Sequence, residues 1–412
     1  MSSAVAVKNR RLALTCIFIT VLLDAIGFGV IMPVMPQLIM EVTGEDLSRA
    51  AMYGGWLLFL YALMQFLFSP IMGNLSDRYG RRPVLLLSLV AYGLDYLMMG
   101  WAPTLTWLII GRIIAGSASS TYAIANAYIA DIFPPEERAK NFALMGAAFG
   151  GGFILGPVLG GLMGEIGPRV PFYATGVLAL LNAAFGYFAL PETLAKENRR
   201  PLDIKRANPL GAFAQIRKHP MVMGLMIAYF FFLIAHQALP SIWAYFSIAK
   251  FDWSQSQIGL SLAYVGVLMM FCQAFLIRWV IDKYGSRITA YLGLTCAFLS
   301  LLGYAFASQP WMVFLFMTVG AAQGFLGPSV QGIMSARIEA NAQGELQGAL
   351  GSMASLAAIV SPPVMTGVFA YFTGPDAPFY YPGSSFLLAA LLTLLSFFLF
   401  VPYLRKTQQL TT

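Results

Sequence analysis

Charged side chains are scarce in this sequence. Asp, Glu, Lys and Arg together make up 10% of its 412 residues, while 58% are hydrophobic; soluble domains usually carry about 25% charged residues. A composition this apolar excludes a soluble globular domain and indicates a protein whose surface faces lipid. The apolar runs do not alternate with a period of two residues, which excludes a strand barrel.

Cysteine and histidine are also rare, with three and two residues. Cys16, Cys272 and Cys296 all lie in apolar runs, where they behave as small hydrophobic side chains, not as a disulfide or metal-binding set. No Gly-x-x-x-x-Gly-Lys-Ser/Thr phosphate loop occurs, so we do not expect ATP to drive this protein. We also find no nucleophile–base set, and therefore expect no enzyme, no cofactor and no metal.

Long apolar segments dominate what is present. A membrane-crossing helix needs about 20 apolar residues, and about twelve segments meet this length. The sequence therefore predicts an all-α polytopic membrane protein with twelve transmembrane helices. The segments lie near residues 12–40, 50–72, 83–101, 104–130, 140–165, 171–190, 220–248, 256–279, 288–307, 311–335, 346–372 and 384–404.

The net charge of +7 reflects topology. If the N-terminus lies inside, 21 of the 25 Lys and Arg residues fall on inner segments and three on outer ones. The positive-inside rule then predicts that both termini are cytoplasmic. We expect no nucleic-acid partner.

One long polar stretch, 192–219, separates about six spans from about six. We predict an N-terminal six-helix bundle (1–191), a cytoplasmic linker (192–219) and a C-terminal six-helix bundle (220–412). Five residue identities recur at a spacing of 205 residues, which indicates parallel repeats of the kind that rock about a midplane site. The pairs are Asp77 and Asp282, Tyr79 and Tyr284, Gly80 and Gly285, Arg82 and Arg287, and Pro157 and Pro362.

Ten hydrophilic residues, 73–82, lie between two apolar runs and predict a tight cytoplasmic turn. We expect Gly73 and Gly80 to let the backbone bend. The charged residues would form a gating clamp that holds the outward-open state; the alternative is an ordinary basic inside loop. The predicted clamp consists of Asp77, Arg78, Arg81 and Arg82 with Asp131 at the inner end of the fourth span.

Three ionisable residues lie clearly within predicted spans: Asp24, Asp95 and Arg112. Such residues are unfavourable in a membrane and are functional candidates by default. We hypothesise that Asp24 is the proton or cationic-solute site, that Arg112 modulates it and that Asp95 assists. The alternative is a static Asp–Arg pair that holds the first, third and fourth helices together.

The seventh span carries candidate solute contacts. His236, Pro240 and Trp243 are spaced four and three residues apart and would share a helix face, and Gln237 is adjacent to His236. His236, Gln237 and Trp243 are therefore predicted to line a solute cavity. Hydrogen bonding between packed helices is the alternative for these residues.

The fifth span is rich in glycine. Small residues allow helices to approach closely, and Pro removes a backbone hydrogen bond. The functional interpretation is a bend between the bundles that limits leak, and the alternative is ordinary tight packing. The residues concerned are Gly152, Gly156, Pro157, Gly160 and Gly161.

These motifs resemble those of a known family. The loop from Gly73 to Pro83 resembles the loop between helices two and three of the major facilitator superfamily. Residues 23–36, 112–116 and 152–161 are similar to motifs of its drug/proton antiporters. Residues 24–29, 237–243 and 343–348 look like the tetracycline-resistance group.

The resemblance implies a proton-coupled antiporter of the bacterial inner membrane that exports a small amphipathic compound, multidrug or tetracycline-like. Its partners would be that solute, protons and the lipid bilayer, and we expect a monomer. In one respect the sequence departs from the group: residues 293–300 of the ninth span contain no acid, and residues 267–271 of the eighth no His. The solute therefore stays open, and the alternatives are a symporter, a uniporter, or a non-transport membrane protein such as a receptor or scramblase.

Overall fold

The computed structural model describes residues 10–200, 219–339 and 342–406. Most of the predicted linker (201–218) and both chain ends lie outside the described residues. Within them the regular structure is helical, with short non-α turns at Lys196–Asn198, Cys272–Leu276 and Ala321–Phe325. The α-helices are α1 (Arg10–Thr43), α2 (Leu47–Tyr79), α3 (Arg81–Trp101), α4 (Leu105–Ala118), α5 (Thr121–Ile132), α6 (Pro135–Gly164), α7 (Val170–Ala189), α8 (Pro220–His236), α9 (Ala238–Phe251), α10 (Gln255–Phe271), α11 (Ile277–Phe306), α12 (Pro310–Gly320), α13 (Leu326–Ser335), α14 (Gln343–Thr373) and α15 (Ser384–Lys406).

Eleven stretches of the described residues are long and apolar enough to cross a membrane. The helix pairs α4–α5, α8–α9 and α12–α13 each form one such stretch. The longest, Gln255–Phe306, has 52 residues, more than twice the ~20 that one crossing needs. The protein is therefore an all-helical polytopic membrane protein, while twelve spans and cytoplasmic termini stay predictions.

Two glycines break the helical backbone at corresponding places. Gly80, between α2 and α3, has φ 109° and ψ 160°, and Gly285, within α11, has φ 75° and ψ 159°. Residues with a Cβ rarely adopt such a positive φ. The two glycines are 205 residues apart, so the predicted repeat recurs in backbone conformation.

The chain divides by contact into two units. Unit 1 contains Met1–Glu45, Leu60–Asn208 and Ser254–Ala263, and unit 2 contains Asp46–Phe59, Pro209–Trp253 and Tyr264–Thr412. The first residues of α2 thus belong with second-half helices, and the first residues of α10 with first-half helices. The predicted bundle boundaries stay a prediction.

Helix α1 is central to unit 1. It packs mainly on α6 and also on α7, while α3 packs on α7. One apolar core includes Ile17, Leu85, Tyr128 and Met145, all fully buried.

In unit 2 the closest packing is of α8 on α15, and α11 also packs on α15. The main core includes Leu225, Leu294, Val330, Met334 and Phe400, all fully buried. Each unit therefore has its own hydrophobic core.

Candidate functional site

Unit 1 contains a cavity of about 540 Å³, within the range of ~300–1,000 Å³ typical of small-molecule sites. Helices α1–α6 supply its walls. All three ionisable residues predicted from the sequence line it. The lining residues are Asp24, Phe28, Ile31, Tyr61, Gln65, Ser69, Tyr92, Asp95, Tyr96, Arg112, Ala115, Ser119, Ser120, Thr121, Tyr122, Ala123 and Phe149.

Asp95 and Arg112 form a buried ion pair in the cavity wall. Arg112 Nη2 donates a hydrogen bond to Asp95 Oδ2 at 2.8 Å, and the two side chains are 0% and 6% exposed. The guanidinium also contacts Met99 Sδ and lies 5.5 Å from the centroid of the Tyr61 ring. Asp95 Oδ1 and Arg112 Nε have no hydrogen-bond partner among the described residues.

Glycine makes room for this pair. A Cβ on Gly111 would lie 2.5 Å from Asp95 Oδ1, well inside van der Waals contact. Because Gly111 precedes Arg112 in α4, its missing side chain lets α4 approach Asp95 of α3.

Asp24 differs from Asp95 in its surroundings. Its side chain is half-buried, and its carboxylate has no ion-pair partner among the described residues. Tyr92 Oη donates to the Asp24 backbone oxygen at 2.9 Å and lies 3.3 Å from Tyr96 Oη. The three predicted charges therefore separate into one paired couple and one unpaired carboxylate in the same cavity.

A neutral polar cluster completes the cavity, and sequence reasoning missed it. Tyr61 Oη lies 2.8 Å from Ser119 Oγ, and Gln65 Nε2 donates to the same oxygen at 2.9 Å. Two signals in the sequence could have revealed this cluster: Gln65 within the apolar α2, and the Ser119-Ser120 pair within the fourth span.

The predicted charge clamp centres on Arg81. Arg81 Nη1 lies 2.5 Å from Asp77 Oδ1, and Arg81 Nε lies 3.2 Å from Asp131 Oδ2. Arg78 and Arg82 lie outside this cluster: Arg78 stacks on Tyr79, and Arg82 Nη2 donates to a backbone oxygen of α7 at 2.6 Å.

The predicted bend at Gly73 is wrong. Gly73 lies inside α2, and of the two expected glycines only Gly80 has a positive φ. The helix instead continues through the hydrophilic residues as far as Tyr79.

Glu192 also contacts the clamp, and no local sequence pattern predicted this role. Its Oε1 accepts hydrogen bonds from the backbone N–H of Arg81 at 2.9 Å, Thr193 at 3.0 Å and Leu194 at 2.9 Å. Its Oε2 accepts from Arg82 N at 3.3 Å. A carboxylate at this position satisfies the unbonded amides of the α3 N-terminus and complements the helix dipole.

The glycine-rich motif of α6 packs on α1. A Cβ at any of three glycines one turn apart would meet an α1 backbone oxygen, so the two backbones approach as closely as the motif predicted. Its role in limiting leak stays a prediction. The distances are 2.6 Å from Gly152 to Leu22 O, 2.5 Å from Gly156 to Ile26 O and 2.5 Å from Gly160 to Val30 O.

The other two motif residues make different contacts. A Cβ on Gly161 would lie 2.5 Å from Gln255 O, at the start of α10. The ring of Pro157 lies against Gly29, where a Cβ would be 2.6 Å from Pro157 Cδ.

His236 and Gln237 lie at the junction of α8 and α9 in unit 2. Gln237 separates α8 from α9, and His236 Nδ1 lies 3.2 Å from Gln323 Oε1. Gln323 belongs to the short 3-10 turn between α12 and α13. The α8–α9 junction and the 3-10 turn therefore meet at a polar pair.

Trp243 lies in different surroundings from His236. It is 2% exposed and packs against other aromatic rings at centroid distances of 5.4–6.2 Å. The predicted common face of His236 and Trp243 crosses the α8–α9 junction, and a solute contact at Trp243 stays a prediction. Because its ring is enclosed by other rings, we leave Trp243 out of the proposed solute site. Its ring neighbours are Phe246, Trp253, Tyr304 and Phe386.

Apolar membrane-crossing helices, a repeated backbone turn and a polar cavity with buried charges define a secondary transporter. The chain belongs to the Major Facilitator Superfamily, whose family model matches residues 17–362 and 225–411.

Known proteins similar to this chain agree with that assignment. It is 42% identical to the tetracycline resistance protein, class C, of Escherichia coli, over 87% of this chain and 90% of that protein. It is 36% identical to the class H protein of Pasteurella multocida, over 91% and 92%. A bacterial homologue of the human lysosomal transporter Spinster has the same fold, with a TM-score of 0.79, 18% identity and coverage of 97% and 98%.

Proposed function

We propose that this protein exports a tetracycline-like amphipathic compound in exchange for protons across the bacterial inner membrane. The observation that carries the proposal is the carboxylate of Asp24 in the unit 1 cavity, which has no ion-pair partner among the described residues, whereas Asp95 and Arg112 pair with each other. Extensive similarity to tetracycline resistance proteins supports the choice of solute.

Asp24 is the coupling group in this proposal. An unpaired carboxylate inside a membrane span can bind a proton or pair with a cationic group of a solute. It cannot do both at once, because protonation removes the negative charge that attracts the cation. Exchange follows if the cavity opens alternately to the two compartments. Arg112 and Asp95 then act as a fixed charge pair in the wall.

The Arg81 clamp supplies the gate. Its ion pairs join α2, α3 and the inner end of α5, and they must break and re-form if these helices shift during the cycle. We assign it to the gating step and give it no contact with solute.

The test is proton-driven uptake of tetracycline by everted membrane vesicles from a sensitive Escherichia coli strain. Asp24→Asn should abolish uptake driven by an imposed pH gradient, because the amide cannot exchange a proton. The matched control is Asp252→Asn at the exposed end of α9. Asp252 has φ 53°, which Asn also tolerates, so this variant should transport normally.

Three results would count against the proposal. Full uptake by Asp24→Asn would reject the coupling role. Accumulation along the proton gradient, with both moving in the same direction, would favour the symporter. A wild-type protein that moves no tetracycline under any gradient would remove tetracycline as the solute, and a panel of amphipathic drugs would follow.

A further inference from the structure

The fourth span is interrupted at the cavity. Helix α4 ends at Ala118, and α5 begins at Thr121 after Ser119 and Ser120. Five consecutive residues, 119–123, line the cavity. The N-terminus of α5, a helix of 12 residues, therefore opens into the chamber that holds Asp24.

Hydrogen-bond donors at this helix end lack partners. The first backbone bond of α5 runs from Ile124 N to Ser120 O at 3.0 Å, and the N–H groups of residues 121–123 have no backbone acceptor among the described residues. Ser120 occupies the N-cap position without making a side-chain cap bond. Its Oγ, on a residue only 4% exposed, has no hydrogen-bond partner in the described part of the chain.

We propose that the N-terminus of α5 and the Ser120 hydroxyl bind an electron-rich oxygen of the solute: an enolate, a carboxylate or a carbonyl. Unbonded amides and the positive end of the helix dipole favour such an oxygen. Arg112 is less available because its guanidinium already contacts Asp95 and Met99. Only the identity of the solute in this inference rests on the proposed function.

Aromatic rings beside this helix end suit the rest of an amphipathic solute. Tyr122 and Phe149 stand edge to face with centroids 5.8 Å apart, and Phe28 also lines the cavity. A planar ring system can lie against these faces. The cavity then offers an apolar wall, an oxygen-binding helix end and a carboxylate at Asp24.

The corresponding span of the second half also departs from α-helix at this level. Gly324 lies 205 residues beyond Ser119, inside the 3-10 turn Ala321–Phe325 that separates α12 from α13. Discontinuous helices at corresponding positions of two repeats commonly mark the binding region of a transporter. The recurrence indicates that the departure from α-helix at residues 119–120 is part of the fold.

Ser120→Asn provides the first test. Asn is a strong N-cap residue, so its side chain should occupy the α5 amides, stabilise the helix and exclude the solute oxygen. We expect the Kd of the purified protein for tetracycline to rise about tenfold, the equivalent of one strong hydrogen bond. The control is Ser117→Asn, because Ser117 bonds to Ile113 O at 2.8 Å and does not line the cavity; its Kd should stay within about twofold of the wild type.

Hydrogen–deuterium exchange of the peptide spanning residues 119–124 separates this inference from the proposed function. Tetracycline and 1-naphthoate, an aromatic carboxylate, should slow exchange there in the wild type, and 1-naphthylammonium should not. If tetracycline is neither bound nor transported, slowing by 1-naphthoate alone still supports the site. If tetracycline is transported while exchange at 119–124 is unchanged, the function stands and the inference falls. Unchanged exchange with both oxygen-bearing probes overturns the inference in every case.

Discussion

Removing one member of the buried Asp95–Arg112 pair should have different consequences for the two residues. Asp95→Leu leaves a guanidinium in a site that is 6% exposed, and a guanidinium stays protonated in proteins. An uncompensated buried charge costs about 3–5 kcal/mol. Arg112 is protonated in both the folded and the unfolded state between pH 5 and pH 7. The decrease in the free energy of unfolding should therefore be the same at the two pH values.

Arg112→Met leaves a carboxyl group, which can become neutral by taking up a proton. The free energy of unfolding should then fall by at most the free energy needed to protonate an ordinary Asp, about 1.4 kcal/mol for each pH unit above ~3.9. That gives about 4 kcal/mol at pH 7 and about 1.5 kcal/mol at pH 5. The folded variant binds a proton that the unfolded chain lacks, so its stability should rise as the pH falls.

Equilibrium unfolding in mixed dodecyl maltoside–SDS micelles at pH 5 and pH 7 measures both effects, each relative to the wild type at the same pH. The double variant Asp95→Leu/Arg112→Met removes both charges and should recover most of the stability of the wild type. Equal pH dependence in the two single variants would refute the reasoning. So would a double variant as unstable as the sum of the singles.

Gly156→Ala should lower the free energy of unfolding by about 1–3 kcal/mol, because its Cβ would lie 2.5 Å from an α1 backbone oxygen. Gly150→Ala, on the same helix with nothing within 4 Å of a Cβ, is the control, and equal losses in the two would contradict the packing argument. The pKa of Glu165, beyond the end of α6, is lowered chiefly by a hydrogen bond from a backbone N–H and further by bonds from two serine side chains. The stabilising contribution of Glu165 is therefore present above a pH of about 4.5 and is lost as the pH falls through its lowered pKa. Glu165→Gln should accordingly make the free energy of unfolding less dependent on pH in the acidic range. An unchanged pH dependence would show that these bonds do not affect stability. Asp77→Asn should lower kcat more than it weakens tetracycline binding, since its carboxylate pairs with Arg81 and lines no part of the cavity. A variant whose Kd rises while kcat is unchanged would refute the gating role.

The helical, membrane-embedded architecture could be predicted from the sequence because hydrophobicity is a local property. The turn at Gly80 and its repeat at Gly285 were predictable for a related reason, since only glycine adopts their backbone conformation without strain. The three charges of the cavity stood out because ionisable residues are rare in apolar spans. Each of these features is a property of a short stretch of sequence.

Features that depend on long-range contact could not be predicted in this way. Glu192 bonds to the amide of Arg81, 111 residues earlier in the chain, and no local pattern relates the two. Trp243 is enclosed by rings from other helices, while His236 lies beside Gln323, and helical spacing determines neither set of contacts. That Arg112 pairs with Asp95, leaving Asp24 unpaired, depends on how α3 and α4 pack.

The two sequence repeats differ at the positions of the three cavity charges. At the positions 205 residues beyond Asp24, Asp95 and Arg112 stand Tyr229, Ser300 and Met317, none of which carries charge near neutral pH. In our proposal proton exchange is therefore a property of the first half. Asp24 and the α5 N-terminus line one cavity, so a bound proton and a bound solute can exclude each other directly there. Exchange then needs no conformational coupling to a proton site elsewhere in the protein. On this view Asp24→Asn should abolish coupling while tetracycline still binds at the α5 end.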